Sequence, residues 1–186
     1  MYSPPYNRVE DRRELVDFMR RNSFALLVTA TGGVPLASHL PVIIADGAAG
    51  IVIHSHMAKN NSQWQEFYEG ENADEVLVAF AGPHAYGKVT VTTDRAVKHA
   101  AQRELVAQLD PQWLPKFDAL RAEYVENMLN GIVTFDIAVT RLETRWKLSQ
   151  NRGRREQELI AAALDKSDDP SVRALAELTR KHLVPE

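Results

Sequence analysis

Gly50-Ile-Val-Ile-His-Ser-His-Met-Ala-Lys-Asn-Asn-Ser-Gln-Trp64 is the stretch of this sequence richest in groups that can do chemistry. An apolar, β-favouring run ends inside it and a helical pattern begins, with Trp64, Phe67 and Tyr68 at helical spacing. A helix N-terminus offers unpaired backbone N–H groups and the positive end of the helix dipole, so it attracts anions. Here that terminus is dressed with Ser55, Lys59, Asn60 and Asn61. The lysine adds a formal charge and the others add hydrogen-bonding groups, a set that suits a phosphate. The plainer reading is that Asn60, Asn61 and Ser62 merely cap the helix and Lys59 is solvated. The sequence by itself favours that reading, because polar caps are the ordinary way to start a helix.

Other clusters are less telling. His54 and His56 lie two apart on a strand and should share a face, with His39 in the neighbouring strand. Three histidines suit zinc, iron or a haem, but no carboxylate close in sequence completes the set, and no metal ligand is assigned. Gly82-Pro83-His84 reads as a turn or as a polar group at a pocket mouth. Trp146-Lys-Leu-Ser-Gln-Asn-Arg152 is dense in hydrogen-bonding groups for a strand end. It either recognises a planar, polar ligand or simply caps the strand. The last two helices carry Arg152, Arg154, Arg155, Arg173, Arg180 and Lys181, which invites a helix-turn-helix reading. Interspersed acids such as Glu156, Glu158, Asp165 and Glu177 would repel phosphates, so a packed αα-hairpin is favoured. No nucleophile elbow, Walker loop or dinucleotide fingerprint is present, and no catalytic residue is assigned.

The elements that must hold these groups follow from periodicity. A helix over about residues 9–21 is followed by apolar runs at 24–31 and 34–45 around Gly32-Gly33, and a third at 50–55. Pro41 inside the second run implies an edge, a bulge or an early end of pairing. After the segment around 60–69 come strands at 75–82 and 87–93, helices at 95–109 and 118–130 broken at Asp110-Pro111, a long strand at 131–143, and helices at 154–165 and 170–183. Strands joined by tight turns pair antiparallel, and about six of them favour a small closed barrel that leaves no exposed edge.

Composition bounds the rest. A chain of 186 residues, 45% hydrophobic and 25% charged, can bury one core without staples. The absence of cysteine excludes disulfides, thiol nucleophiles and Cys-ligated clusters. A net charge of −3 does not advertise nucleic-acid or anionic-membrane binding. The polar N-terminus and the lack of a long apolar run lead us to expect a cytoplasmic chain with no membrane span.

ASHLP at 37–41, HMAKNNSQW at 56–64, GPHAY at 82–86 and KLSQNR at 147–152, with MYSPPY at the N-terminus, together resemble the PaiB-like proteins, FMN-binding negative transcriptional regulators. The resemblance spans nearly the whole chain. It implies a mainly β fold with peripheral helices, a six-stranded antiparallel split barrel of the flavin reductase and pyridoxamine-phosphate oxidase type. The helical pair at 153–183 would pack on the barrel or on a partner subunit. It also implies a homodimer with FMN at the subunit interface. Ser55, His56, Lys59 and Asn60 would fall in the segment that grips the FMN phosphate. Ser38, His39 and Leu40 would run along the flavin, and Lys147, Gln150 and Asn151 would lie near its ring. The implied role is a regulator acting on DNA or, better matched to the charge, through another regulator. An FMN-dependent oxidoreductase of a small molecule, or a barrel holding haem or another ligand, is the alternative. One departure stands out. Members of the family follow GPHAY with a long aromatic-rich segment, whereas Tyr86 here passes straight into GKVTV. The abrupt junction favours a loop omitted from the sequence; a true deletion would take a barrel strand and a pocket wall with it.

Overall fold

The computed structural model describes residues 4–30, 34–67 and 75–185. The expected Gly32-Gly33 turn and Tyr68 lie outside them. The chain forms two compact units, one of residues 11–143 and one of residues 1–10 with 144–186.

In the first unit, apolar residues alternate with polar ones along each strand, and the alternation decides which face turns inward. Among the described residues six strands close into an antiparallel barrel: β1 (Phe24–Thr29), β2 (Leu36–Gly47), β3 (Gly50–Ala58), β4 (Val76–Ala79), β5 (His84–Thr92) and β6 (Ile132–Glu143), in the order β1-β2-β3-β6-β5-β4. Leu27, Val42, Ile44, Ile53, Met57, Val78, Phe135 and Ile137 fill the interior. Helix α1 (Arg12–Arg21) is capped by Asp11, whose carboxylate accepts from the backbone N–H groups of Arg13 and Glu14. Its Val16 and Met19 join the same core.

Pro41 does not end β2. It sits where the strand changes partner, residues 36–41 pairing with β1 and 42–47 with β3, so its missing N–H interrupts neither ladder. The Tyr86–Gly87 junction does not cost the barrel a strand. Strand β5 runs through it, with a register shift between Tyr86 and Gly87 against β6, and the barrel keeps all its strands. Gly87 is required there, since a Cβ would stand 2.5 Å from the Ala138 carbonyl oxygen and 2.7 Å from Ile137 Cγ2.

Between β5 and β6 the chain forms α2 (Arg95–Leu109), α3 (Leu114–Asp118) and α4 (Ala122–Asn130). The Asp110-Pro111 break is where it was expected, while the short α3 was not foreseen. These helices cover part of the outer barrel surface. His56 of β3, Gln102 of α2, Phe117 of α3 and Leu129 of α4 line a cavity of about 90 Å³ between them.

The segment after β3 differs from expectation. It is a 3₁₀ helix of six residues, Ser62–Phe67, with no α-helical N-terminus. Bonds from its side chains to backbone groups hold it tight, as described below. A turn this short has no appreciable macrodipole, so charge at this place must come from side chains.

The second unit joins the N-terminal segment to the end of the chain. The Thr144 hydroxyl lies 3.0 Å from both the N–H and the carbonyl of Val9, and the Trp146 N–H donates to the Asn7 carbonyl at 2.9 Å. Helices α5 (Arg154–Leu164) and α6 (Pro170–Lys181) pack through Ala161 and Ala176, both fully buried. None of the helices in the described residues is long and apolar enough to cross a membrane.

Candidate functional site: the turn after strand β3

Lys59 leaves the end of β3 with its backbone fixed on both sides. Its N–H donates to the Gly131 carbonyl at 2.8 Å, and its own carbonyl accepts from Trp64 Nε1 at 2.9 Å. The side chain is exposed and makes no hydrogen bond or ion pair with another described residue. Asn60 is likewise exposed and uncommitted. The next polar residues serve the turn itself. Asn61 donates through Nδ2 to Ser38 Oγ at 3.0 Å and accepts the Gln63 N–H through Oδ1 at 3.0 Å. Gln63 is 2% exposed, and its Nε2 reaches the carbonyls of Leu27 and Leu36 and the Thr29 hydroxyl at 3.1–3.4 Å. Two carbonyl partners on one atom fix that amide's orientation. A rigid turn carrying a free cation and a free amide is therefore held against β1, β2 and the start of β6.

Lys98, one turn into α2, meets the same place. Its Nζ donates to the Ile132 carbonyl at 3.0 Å and to the Leu129 carbonyl at the end of α4. Burial, and then the positive charge of Lys59, hold the Lys98 ammonium below the usual lysine range. Sequence reading missed this residue, since nothing local marks a lysine on one helix as the neighbour of a strand-end turn 39 positions earlier.

The other expected site residues are distributed by strand alternation. Ser55 points inward, 7% exposed, and donates its hydroxyl to the Pro41 carbonyl at 2.9 Å. His56 points outward beneath the helices, and burial pushes its imidazole below the ordinary histidine range. Along β2, Ser38 touches the turn, Leu40 is buried in the core, and His39 faces out and stacks on Phe24 with ring centroids 5.5 Å apart. Phe24 and His39, with Leu26, Ala79 and His84, line an open groove of about 550 Å³ on the outer face of β1 and β4.

The histidines do not converge. His54 instead pairs with Asp136 of β6, Nδ1 to Oδ1 at 2.6 Å, a carboxylate far away in sequence and opposite it in register.

In the second unit, Lys147 and Asn151 are exposed, while Gln150 closes its own loop. Gln150 Nε2 donates to the Trp146 carbonyl at 2.8 Å and its Oε1 accepts the Leu148 N–H at 2.7 Å. The basic residues of the terminal hairpin are largely engaged. Arg152 and Arg154 pair with Glu156 and Glu158, Arg180 pairs with Asp165, and Arg173 donates to the Ser167 carbonyl.

An uncommitted lysine and amide on a rigid turn fit a phosphate group, and an exposed aromatic groove suits a planar ring. The comparisons with known proteins bear on the ligand and the family. A family model described as "Putative FMN-binding domain" matches residues 1–86 and 84–141. Its two segments meet at the Tyr86 junction, where this chain runs directly into Gly87. The chain is 31% identical to "Protease synthase and sporulation protein PAI 2" of Bacillus subtilis (strain 168) over 206 residues, covering 98% of each chain. That span exceeds the 186 residues here, as expected if this chain lacks a block. A FAD and haem binding protein of Mycobacterium smegmatis shares the fold with a TM-score of 0.56 at 17% identity, over 90% of this chain and 96% of its own. A Clostridium acetobutylicum protein of the pyridoxinephosphate oxidase family does so with a TM-score of 0.51 at 11% identity, over 72% and 87%. A split barrel closed by six antiparallel strands, matched by the family model over residues 1–141 and by its relative over nearly its full length, this chain belongs to the PaiB-like FMN-binding family.

Proposed function

We propose that this protein is a homodimeric FMN-binding regulator that acts through another protein, with the FMN phosphate held at the 58–61 turn by Lys59 and Asn60. The observation that carries the site is the free Lys59 ammonium on a backbone clamped from both sides. Ser38, bonded to the same turn, and His39, facing the aromatic groove, extend it along β2. When bound, FMN supplies reversible electron and proton uptake at its ring, and the protein's part is to bind, orient and shield it.

The exposed groove around Phe24, itself 67% exposed, supports association of two copies through the outer face of β1. Lys147 and Asn151 are then contributed toward the ring by the second copy. Engagement of the hairpin arginines by neighbouring acids supports a protein partner over direct contact with DNA phosphates.

Titration of the purified protein with FMN, FAD and haemin, followed by absorbance and sized by light scattering, tests this reading. A dimer that turns yellow and saturates with FMN in preference to FAD is the expected result. A colourless monomer would end it. Steady turnover of a reduced nicotinamide by the FMN-loaded protein would replace regulation with an oxidoreductase role.

A further inference from the structure

We propose that Lys98 of α2 is a second phosphate-binding residue, set beside Lys59 on the turn from Leu129 to Ile132; this rests on the reading of the 58–61 turn as the FMN phosphate site. Two lysines reach one four-residue piece of backbone from different elements. Lys59 does so through its backbone N–H to the Gly131 carbonyl, and Lys98 through side-chain Nζ to the carbonyls of Leu129 and Ile132. An ammonium has three N–H donors, and the bonds to these carbonyls use two of them. The third is open.

Among the described residues no carboxylate is bonded to either lysine. Glu126, the acid whose field Lys98 feels, is engaged by Arg95. The field of Glu126 offsets part of the repulsion between the two cations but supplies no bonded counter-charge. Proteins seldom hold like charges together without a counter-charge, since the pair destabilises itself. A phosphate monoester, carrying between one and two negative charges near neutral pH, matches two ammonium groups in charge and offers three acceptor oxygens.

Capping the C-terminus of α4 is an ordinary use of a lysine and accounts for the bond to Leu129. It does not call for a second lysine beside the same turn, and the backbone N–H that holds Lys59 there would be supplied by almost any residue. The helices that deliver Lys98 thereby acquire a part in binding as well as in covering the barrel.

The test separates charge from capping. FMN and riboflavin, which differ by the phosphate, are titrated by flavin fluorescence into the wild type, Lys98→Gln, Lys98→Arg and Lys59→Met. Lys98→Gln removes the charge and keeps an amide N–H donor, one bond shorter, while Lys98→Arg keeps both charge and reach. The wild type is expected to prefer FMN. Lys98→Gln should lose about ten-fold in FMN affinity while riboflavin affinity stays within about two-fold, and Lys98→Arg should retain most of the preference.

An unchanged FMN-to-riboflavin ratio in Lys98→Gln, or equal weakening of both flavins, reduces Lys98 to a helix cap and overturns the inference. If the preference is lost in Lys59→Met yet intact in Lys98→Gln, only the role of Lys98 falls. A wild type that binds both flavins equally removes the phosphate reading and this inference together.

Discussion

Two polar loops leave the long strands of this molecule, one after β3 at residues 59–63 and one after β6 at residues 147–151, and both carry groups suited to a ligand in sequence. The structure treats their amides alike. Gln63 ties its loop to three acceptors on β1 and the start of β2, and Gln150 closes the second loop on itself while Gln157 donates to Leu148 and accepts from Val184. In each loop a glutamine amide is spent on bonds within the protein, and a neighbour left over is free for a ligand. The loops differ in what is left over. The first offers Lys59 with its backbone pinned and a second lysine behind it, the second an exposed Lys147 and Asn151. A ligand gains most from a group whose ordering cost has already been met.

The comparison breaks hardest at the amides. Replacing Gln63 by Leu strands two carbonyls and a hydroxyl at the barrel end, and should destabilise by about 1–3 kcal/mol. Gln157→Leu should cost a similar amount in the second unit, leaving the Leu148 carbonyl and the Val184 N–H without their partner. Either loss should lower the melting temperature by several degrees, at roughly 2–4 °C per kcal/mol for a chain of this size. Thermal unfolding of the two variants checks this, and an unshifted transition would show that these amides do not hold the loops.

Lys59→Met sharpens the contrast from the other side. It removes no internal bond, so the melting temperature should stay within about a degree, while FMN affinity falls by about ten- to a hundred-fold, the scale of a charge-assisted hydrogen bond. Unaltered affinity would return the lysine to solvent and move the phosphate elsewhere.

Acid should loosen the helices that cover β3 next to the first loop. His56 lies beneath Gln102, Phe117, Leu120, Val125, Met128, Leu129 and Ile132, none of them charged, and burial lowers its pKa below the unfolded value near 6.5. The unfolded chain then binds the proton more readily than the folded one. Stability is accordingly full above about pH 6.5 and falls as the pH drops toward the folded value. Denaturant unfolding of the wild type and His56→Phe between pH 5 and 7.5 should show a pH slope that the variant lacks in part; His84, whose pKa is also lowered by burial, supplies a remainder.

Strand positions and most helix limits were legible because period-two alternation and breakers such as Asp110-Pro111 act locally. The barrel followed from strand count and turn length. Less of the site could be read, for reasons of distance. The 59–63 turn was visible as a cluster, but a 3₁₀ turn stands where a helix was expected, with Asn61 bonded to Ser38 and Gln63 to Leu27, Thr29 and Leu36, residues that sequence does not place beside them. Asp136 facing His54, and Lys98 facing the Lys59 turn, depend on strand register and on how α2 to α4 return over the barrel. Gly87 shows the converse. A glycine inside an apolar run gave no hint of the carbonyl 2.5 Å from where its Cβ would stand.

The smallest effect is expected in the second loop, and it is the most discriminating. Lys147→Ala and Asn151→Ala remove exposed side chains, so stability should change by less than about 0.5 kcal/mol. If a second copy presents these residues to the flavin ring, FMN and riboflavin should both weaken by about three- to ten-fold, since the contact involves the ring they share. That pattern is the opposite of the phosphate-selective loss expected at Lys59. Dilution should abolish it, because a monomer has no second copy to present them. Titration of both flavins at protein concentrations above and below dimer dissociation resolves the matter. Equal affinities for wild type and variants at the higher concentration would leave the second loop as a strand cap whose free residues meet only water.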